Sequence, residues 1–293
     1  MAKQPRSLYG LVGAVTGGAR GIGLATATAM SREGMKIAIG DLDGDLAAAE
    51  AAKLGGEAVG LPLDVTDRES FAAFLDQAEE KLGPLEVLVN NAGIMHLTPF
   101  LDEEDEWAVR QVDINIHGVI YGSKLALRRF TQRGHGHLIN IASTAGKAGF
   151  PGGATYCATK HAVVGLSEAI RQELRGTGVE VGCVMPGVVQ TELAAGLAQA
   201  RAVKPVTPQD VAAEIIDALK KPRFDIFVPR SLGRITKVMN ILPRGGREGV
   251  ARALKADKVL TAIDHNARSA YELRASKSDP RLPSSDEQKA LNP

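Results

Sequence analysis

Tyr156 and Lys160 stand four residues apart in "TYCATKHAV", a segment whose pattern predicts a helix, so phenol and ammonium emerge on one face. A phenol is a poor base near neutral pH. An ammonium fixed beside it favours the phenolate, each unit of pKa lowering corresponding to about 1.4 kcal/mol. Such a pair can exchange a proton with an alcohol or a carbonyl. Thirteen residues before the tyrosine, Ser143 ends the β-branched run "HLINIAS", which places a hydroxyl able to hydrogen-bond a substrate oxygen at a strand terminus.

A second chemistry-bearing stretch is "TGGARGIG", residues 16 to 23, which follows the apolar run Leu11 to Val15. Gly17, Gly21 and Gly23 fall where a first strand ends and a first helix begins. Glycine there permits a tight turn and close approach of backbone to ligand, and the free N–H groups at the helix start favour a pyrophosphate. Asp41 ends "KIAIGD", 18 residues past Gly23. That is near the spacing of roughly 20 at which a carboxylate meets a dinucleotide's ribose 2′-hydroxyl. A carboxylate there repels a 2′-phosphate, so NAD is expected and NADP less so. Arg20, inside the loop, argues the other way, since a guanidinium pairs with a 2′-phosphate. With a nicotinamide ring beside Tyr156, proton exchange would accompany hydride transfer, and the ring's positive charge would add to the pull on the phenolate.

The elements that must position these groups alternate. Short apolar runs, "LVGAVT", "KIAIG", "AVGLPLD", "EVLVN", "HLINIAS", "VEVGCVM" and "FDIFVP", are separated by segments of helical period, among them Gly21 to Glu33, Asp67 to Leu82, Glu104 to Gln132, Ala154 to Arg175 and Pro208 to Leu219. This predicts an α/β fold, a doubly wound Rossmann-type sheet of about seven parallel strands with helices on both faces. Its ligand site then lies at the carboxyl ends of the strands. The 293 residues carry 35 Lys and Arg against 34 Asp and Glu, a balance that gives no reason to expect nucleic-acid binding. No apolar run reaches the roughly 18 residues of a membrane span, and the first residues lack a secretory apolar region, so a cytoplasmic protein is expected. Cys157 and Cys183 read as buried thiols. His96, His117, His135, His137, His161 and His265 are scattered without zinc-site spacing, so no metal is expected. His161 should face solvent or a neighbouring subunit.

Taken together, "TGGARGIG", Asp64 in "LDVTD", "NNAG" at 90 to 93, Asn115 in "VDINIHGV", Ser143, the Tyr156/Lys160 pair and "PGVVQT" at 186 to 191 resemble the compact branch of the short-chain dehydrogenase/reductase family, in order and spacing over roughly residues 8 to 230. The resemblance implies a catalytic tetrad of Asn115, Ser143, Tyr156 and Lys160, with Lys160 also binding the nicotinamide ribose. It implies Asp64 and Val65 near the adenine, and Asn91, Ala92 and Gly93 on the adenosine side. Pro186, Gly187, Val189 and Thr191 would hold the carboxamide, through the Val189 backbone and the Thr191 hydroxyl. Ile22 and Leu42, beside the glycine turn and Asp41, complete the cofactor set. Asn115 interrupts a long helix, where a bend around a bound water would complete a proton relay to Lys160. Asp64 has a second reading, as cap of the helix starting near Asp67. Asn90 reads as architectural, bonding strand backbone to strand backbone.

Over the nicotinamide, the resemblance places "QTELAAGLAQARAVKPVTPQD", a substrate loop of about residues 190–207. Its apolar content, with Ile94, Met95, Leu97 and Phe150, points to a lipophilic alcohol or its ketone or aldehyde, of steroid, retinoid or fatty-chain type. A nucleotide-sensing regulator of the same fold and an NADPH-preferring reductase are the alternatives. Residues 1–230 are expected to form the catalytic domain, 231–275 a basic amphipathic extension, and 276–293 a disordered tail. From Lys220 onward 16 Lys and Arg face 8 Asp and Glu. Ile235, Val238, Met239 and Leu242 fall at helical spacing beside Arg234, Lys237 and Arg244. This stretch reads as a lid, as an arm onto a partner subunit, or as a peripheral membrane contact. A homodimer or homotetramer built from the two long helices is implied by the resemblance.

Overall fold

In a strand sealed on both faces every position must be apolar or satisfied, and Val12–Thr16 (β1) and Gly136–Ile141 (β5) are buried at every residue. The computed structural model describes residues 5–197, 204–253, 259–261 and 264–276. The other strands are Lys36–Asp41 (β2), Ala58–Pro62 (β3), Leu85–Asn90 (β4), Val179–Pro186 (β6) and Asp225–Val228 (β7). All seven pair in parallel in the order β3-β2-β1-β4-β5-β6-β7. The order reverses between β1 and β4, which opens a crevice at their carboxyl ends.

The helices are Gly21–Arg32 (α1), Gly44–Leu54 (α2), Arg68–Leu82 (α3), Asp105–Val112 (α4), Gly118–Arg133 (α5), Ala154–Glu173 (α6), Pro208–Lys220 (α7), Ser231–Ile241 (α8), Arg244–Ala253 (α9) and His265–Ser276 (α10). Alternate strand residues feed two cores. Val15, Ile37, Ile39, Val87 and Val89 meet Ala27 and Met30 of α1 and Ile215 and Leu219 of α7. Ala14, Ala38 and Leu88 meet Phe71, Phe74 and Leu75 of α3 and Phe130 of α5. Each such large side chain contributes about 1.5–3 kcal/mol by leaving water. Local signals set the helix ends: Thr207 and Asp210 form a capping box with Pro208 in the first turn of α7, and Gly134 closes α5 in the left-handed region.

The predicted helix from Glu104 to Gln132 is instead α4 and α5 joined by one π-helical turn, Asp113–His117, with Asn115 at its centre. The bend expected from the sequence is thus a widened turn, in which the Gly118 N–H reaches back to the Asp113 carbonyl. Asn90 also differs from the expectation. Its Nδ2 donates to Asn140 Oδ1 at 2.9 Å and Ser123 Oγ at 3.2 Å, and Asn140 Nδ2 in turn donates to Ser167 Oγ at 3.0 Å. Side chain meets side chain, because the parallel ladder already uses the strand backbones.

Most of the expected substrate loop is described, apart from 198–203; the expected disordered tail lies outside the described residues except for Ser276. Of the extension, α8 packs on β7 with Gly233 against the Phe227 ring, and α10 packs on the short turn Glu192–Ala194. The predicted apolar stripe of α8 is largely open, Val238 being 60% exposed.

Candidate active site

Among the described residues one cleft of about 2140 Å³ lies at the carboxyl ends of the strands, and every predicted site residue lines it except Gly23 and Asn115, which sit behind its wall. At its floor β1 runs into a turn at Gly17, φ +59°. A Cβ on Gly17 would come within 2.9 Å of Ala92 Cα, and one on Gly23 within 2.1 Å of the Gly17 carbonyl oxygen, so bare backbone is required. Asn91 fastens the turn: its Nδ2 donates to the carbonyls of Thr16 and Gly17 at 2.9 and 3.0 Å. The Asn91 and Ala92 N–H groups both donate to Thr16 Oγ1 at 3.0 Å. The amide side chain expected on the adenosine side therefore serves the glycine turn. α1 starts without a side-chain cap and without an acidic residue in its first turn, where Gly21 and Ile22 line the cleft. Uncapped N–H groups and a positive helix end fit a pyrophosphate.

At the outer end of β2, Asp41 accepts the N–H groups of Ala19 and Asp43 at 3.1 and 3.2 Å. Arg20 bridges two carboxylates, Asp43 at 2.8 Å and Asp41 at 3.9 Å. Asp43, which the sequence reading passed over, also caps α2 through the Leu46 N–H, and the Arg20 hydrogen bond holds its carboxyl below the usual range. Leu42 is exposed beside it. Asp64 does not cap α3; Asp67 does, accepting the Glu69 N–H at 2.9 Å. Asp64 instead folds onto Thr66, accepting its N–H and hydroxyl at 2.8 and 2.7 Å, and Val65 is buried against Gly118.

The catalytic-type side chains converge on one corner. Ser143 follows β5, where its hydroxyl accepts the Ala145 N–H at 3.1 Å, and it lines the cleft together with Tyr156 of α6. Lys160 Nζ donates to the Ile141 carbonyl at 3.1 Å and lies 5.7 Å from the Tyr156 ring centroid. Asn115 Oδ1 accepts the Ile94 N–H at 2.9 Å, and its Nδ2 donates to the Ile94 carbonyl and Thr159 Oγ1 at 2.9 and 3.1 Å. The oxygen and both N–H groups of this side chain are thus committed to protein.

Electrostatics at this corner runs against the sequence expectation. Burial pushes the Tyr156 phenol above its ordinary range, and the neighbouring Ser143 hydroxyl only partly opposes it. Burial also lowers Lys160 to about 8. Among the chain's own groups, desolvation of the phenolate outweighs the attraction of an ammonium whose nearest bond is to a carbonyl.

Thr191 curls over the cleft so that its methyl approaches Gly21, and a bridge between Val189 and Val206 fixes the turn after Pro186 and Gly187. The cleft thus joins a glycine turn at one end to a serine, tyrosine and lysine at the other.

A sequence profile described as short chain dehydrogenase matches residues 12–202. The chain belongs to the short-chain dehydrogenase family. This short-chain dehydrogenase is 41% identical over 186 residues to L-2,3-butanediol dehydrogenase of Corynebacterium glutamicum, covering 61% of this chain and 72% of that one. It is 37% identical over 228 residues to glycine betaine reductase ATRR of Emericella nidulans, covering 73% of this chain but only 18% of that relative's length. A short chain dehydrogenase/reductase from Burkholderia phymatum, solved in complex with NAD, superimposes with a TM-score of 0.74 at 26% identity, over 80% of this chain and 94% of that one.

The apolar side chains expected near Tyr156 in this short-chain dehydrogenase are found there, with one amendment. Ile94, Met95 and Phe150 line the cleft, whereas Leu97 is buried behind it among Met95, Tyr156, Val259 and Leu260. Sequence reasoning missed Val259, Leu260, Arg268 and Tyr271, which come from the extension. Their signal is weak, because α10 is polar on most faces and only tertiary packing shows which side is covered. His161 is exposed, as expected, yet sits at the cleft rim with Nδ1 on the Cys157 carbonyl at 2.8 Å. Both cysteines are free and buried.

Proposed function

We propose that this short-chain dehydrogenase interconverts a lipophilic alcohol, of steroid, retinoid or fatty-chain type, and its ketone or aldehyde with NAD(H), residues 1–230 forming the catalytic unit. The observation that carries the reading is the meeting of Ser143, Tyr156 and Lys160 at one end of a cleft whose other end is the uncapped α1 start. When bound, the nicotinamide accepts or returns the hydride of the carbinol carbon. In the oxidation direction Tyr156 Oη takes the alcohol proton, and Ser143 Oγ holds the substrate oxygen. Lys160, poised near pH 8, binds the ribose and passes protons between the phenol and solvent. Asn115 acts through its backbone: with its side chain spent on Ile94 and Thr159, the π-helical turn offers a main-chain carbonyl to a relay water.

NAD is favoured over NADP because a 2′-phosphate would have to displace Arg20 from two carboxylates, Asp41 and Asp43. Gly17, Arg20, Gly21, Ile22, Gly23, Asp41 and Leu42 form the pyrophosphate and ribose end of the site. Asp64, Val65, Asn91, Ala92 and Gly93 form the adenosine side, and Pro186, Gly187, Val189 and Thr191 the carboxamide end. An L-2,3-butanediol dehydrogenase among the relatives supports secondary-alcohol chemistry. We further propose a cytoplasmic homodimer or homotetramer; the exposed Leu101 and Val109 beside α4 support an interface there, which sedimentation would test.

The deciding experiment replaces Tyr156 by Phe and follows NADH formation across hydroxysteroids, retinol and long-chain alcohols. Turnover by the wild type and a loss of about a thousandfold or more in Tyr156→Phe, with NADH still bound, is expected. A wild type that binds NADH yet turns over none of them would favour the nucleotide-sensing alternative.

A further inference from the structure

A buried guanidinium closes the substrate end of the cleft. Arg268 of α10 has a fully buried side chain. Its Nη1 donates to the Leu193 and Ala195 carbonyls at 2.7 and 3.5 Å, its Nη2 donates to the Met95 carbonyl, and its Nε faces Glu272 at 3.1 Å. The next aromatic along, Tyr271, lies 4.7 Å beneath the guanidinium, and its hydroxyl accepts the Met95 N–H at 2.8 Å. One helical turn therefore ties the loop after β4 to the loop after β6. Two further ties flank it: the Asp264 N–H donates to the Gly196 carbonyl at 2.9 Å, and Arg274 pairs with Glu192.

We propose that α10 is the outer wall of the substrate pocket, with Tyr271 touching the substrate and limiting its length, and Arg268 a positioning residue that holds the Met95 and Leu193–Ala195 segments around it. Tyr271 lines the same cleft as Tyr156, and its ring packs with Trp107 and Ile94. Ring and hydroxyl are both held, so the side chain cannot swing aside as an unfixed tyrosine would. Three of the Arg268 N–H bonds go to carbonyls and its Nε faces Glu272, so the guanidinium is spent on holding these segments together. Where the substrate meets Tyr271 it therefore faces an aromatic ring packed on Trp107 and Ile94, a surface suited to an apolar group. Both groups also lie within electrostatic reach of the reacting phenol: Tyr271 raises the Tyr156 pKa and Arg268 lowers it, each behind burial and Ser143.

The proposal rests on the alcohol reading above, and its test separates the two. Affinities of the full-length protein for 2-butanol and 2-octanol are measured calorimetrically with NADH bound, a non-productive complex, and turnover is followed separately with NAD. Tyr271→Ala is expected to raise the affinity for 2-octanol relative to 2-butanol at least tenfold without changing the affinity for NADH. Leu273→Ala, on the open side of α10, should move neither value. Arg268→Met should raise KM for both alcohols at least tenfold with a smaller change in kcat, and should speed amide exchange over residues 192–197; Arg268→Lys should recover part of both effects. An unchanged octanol-to-butanol ratio in Tyr271→Ala, or a wild type that binds neither alcohol, overturns the wall. Unchanged KM and exchange in the Arg268 variants overturn the clamp, with Arg268→Lys deciding if Arg268→Met does not fold. A wild type that shows the affinity shift on Tyr271→Ala but oxidises neither alcohol, nor any of the larger ones, overturns the proposed function and leaves the wall standing.

Discussion

Lys160 carries the clearest conflict between stability and chemistry. Its folded pKa of about 8 lies below the ordinary 10.5, so between those values the unfolded chain binds the extra proton and stability rises with pH. Below pH 8 the buried charge costs about 3 kcal/mol. Lys160→Met should therefore raise stability by about 1–3 kcal/mol at pH 7, read by denaturant unfolding, while turnover falls by orders of magnitude. The same reading gives Asp41 and Asp43 a joint role. Replacing both by Ala should free Arg20 and shift the NADH-to-NADPH affinity ratio at least tenfold toward NADPH, measured by fluorescence titration.

The elements behave as mounts for bare backbone and buried polar chains. Gly17→Ala places a methyl 2.9 Å from Ala92 Cα at a φ of +59°, so NADH affinity should drop at least tenfold while the circular dichroism spectrum stays that of the wild type. Behind the sheet edge, Asn140 joins Asn90 to Ser167 across β4, β5 and α6. Asn140→Ala strands two buried partners and should cost about 2–4 kcal/mol in chemical denaturation, whether or not cofactor is bound. Much of this layer was legible beforehand. The TGGARGIG turn and the strand-end positions of Asp41 and Ser143 follow from period and glycine placement, which are local properties. Asn115 was legible as an irregularity but not as a π turn, because the widened turn depends on bonds to Ile94 and Thr159 supplied by other elements.

Across the whole molecule, two histidines make the fold sensitive to acid. Burial lowers His137 to about 3 and His96 to about 4, each with a nearby arginine adding to the effect, Arg6 and Arg268 respectively. Unfolded histidine binds its proton near 6.5, so stability is full above that value and falls as pH drops toward the folded values. At pH 5 each contributes a loss of about 2 kcal/mol. Thermal unfolding should fall by roughly 6 °C between pH 7.5 and 5. His137→Gln, which can still accept from Arg6 Nη2, should flatten that slope. The location of His137 explains why the loss is global: through Arg6 it joins the N-terminal segment to β5, and Arg6 also bonds the Leu219 carbonyl in α7.

The sequence by itself determined the parallel sheet, the glycine turn and the one-face pairing of Tyr156 with Lys160, since apolar period, backbone freedom and helical spacing act over a few residues. Tertiary structure alone decided the direction of the Tyr156 shift, the partners of Arg20 and the bonds of Arg268 and Tyr271 to the Met95 backbone. Desolvation and long-range hydrogen bonds depend on groups distant in the chain, and no local pattern records which of them will meet.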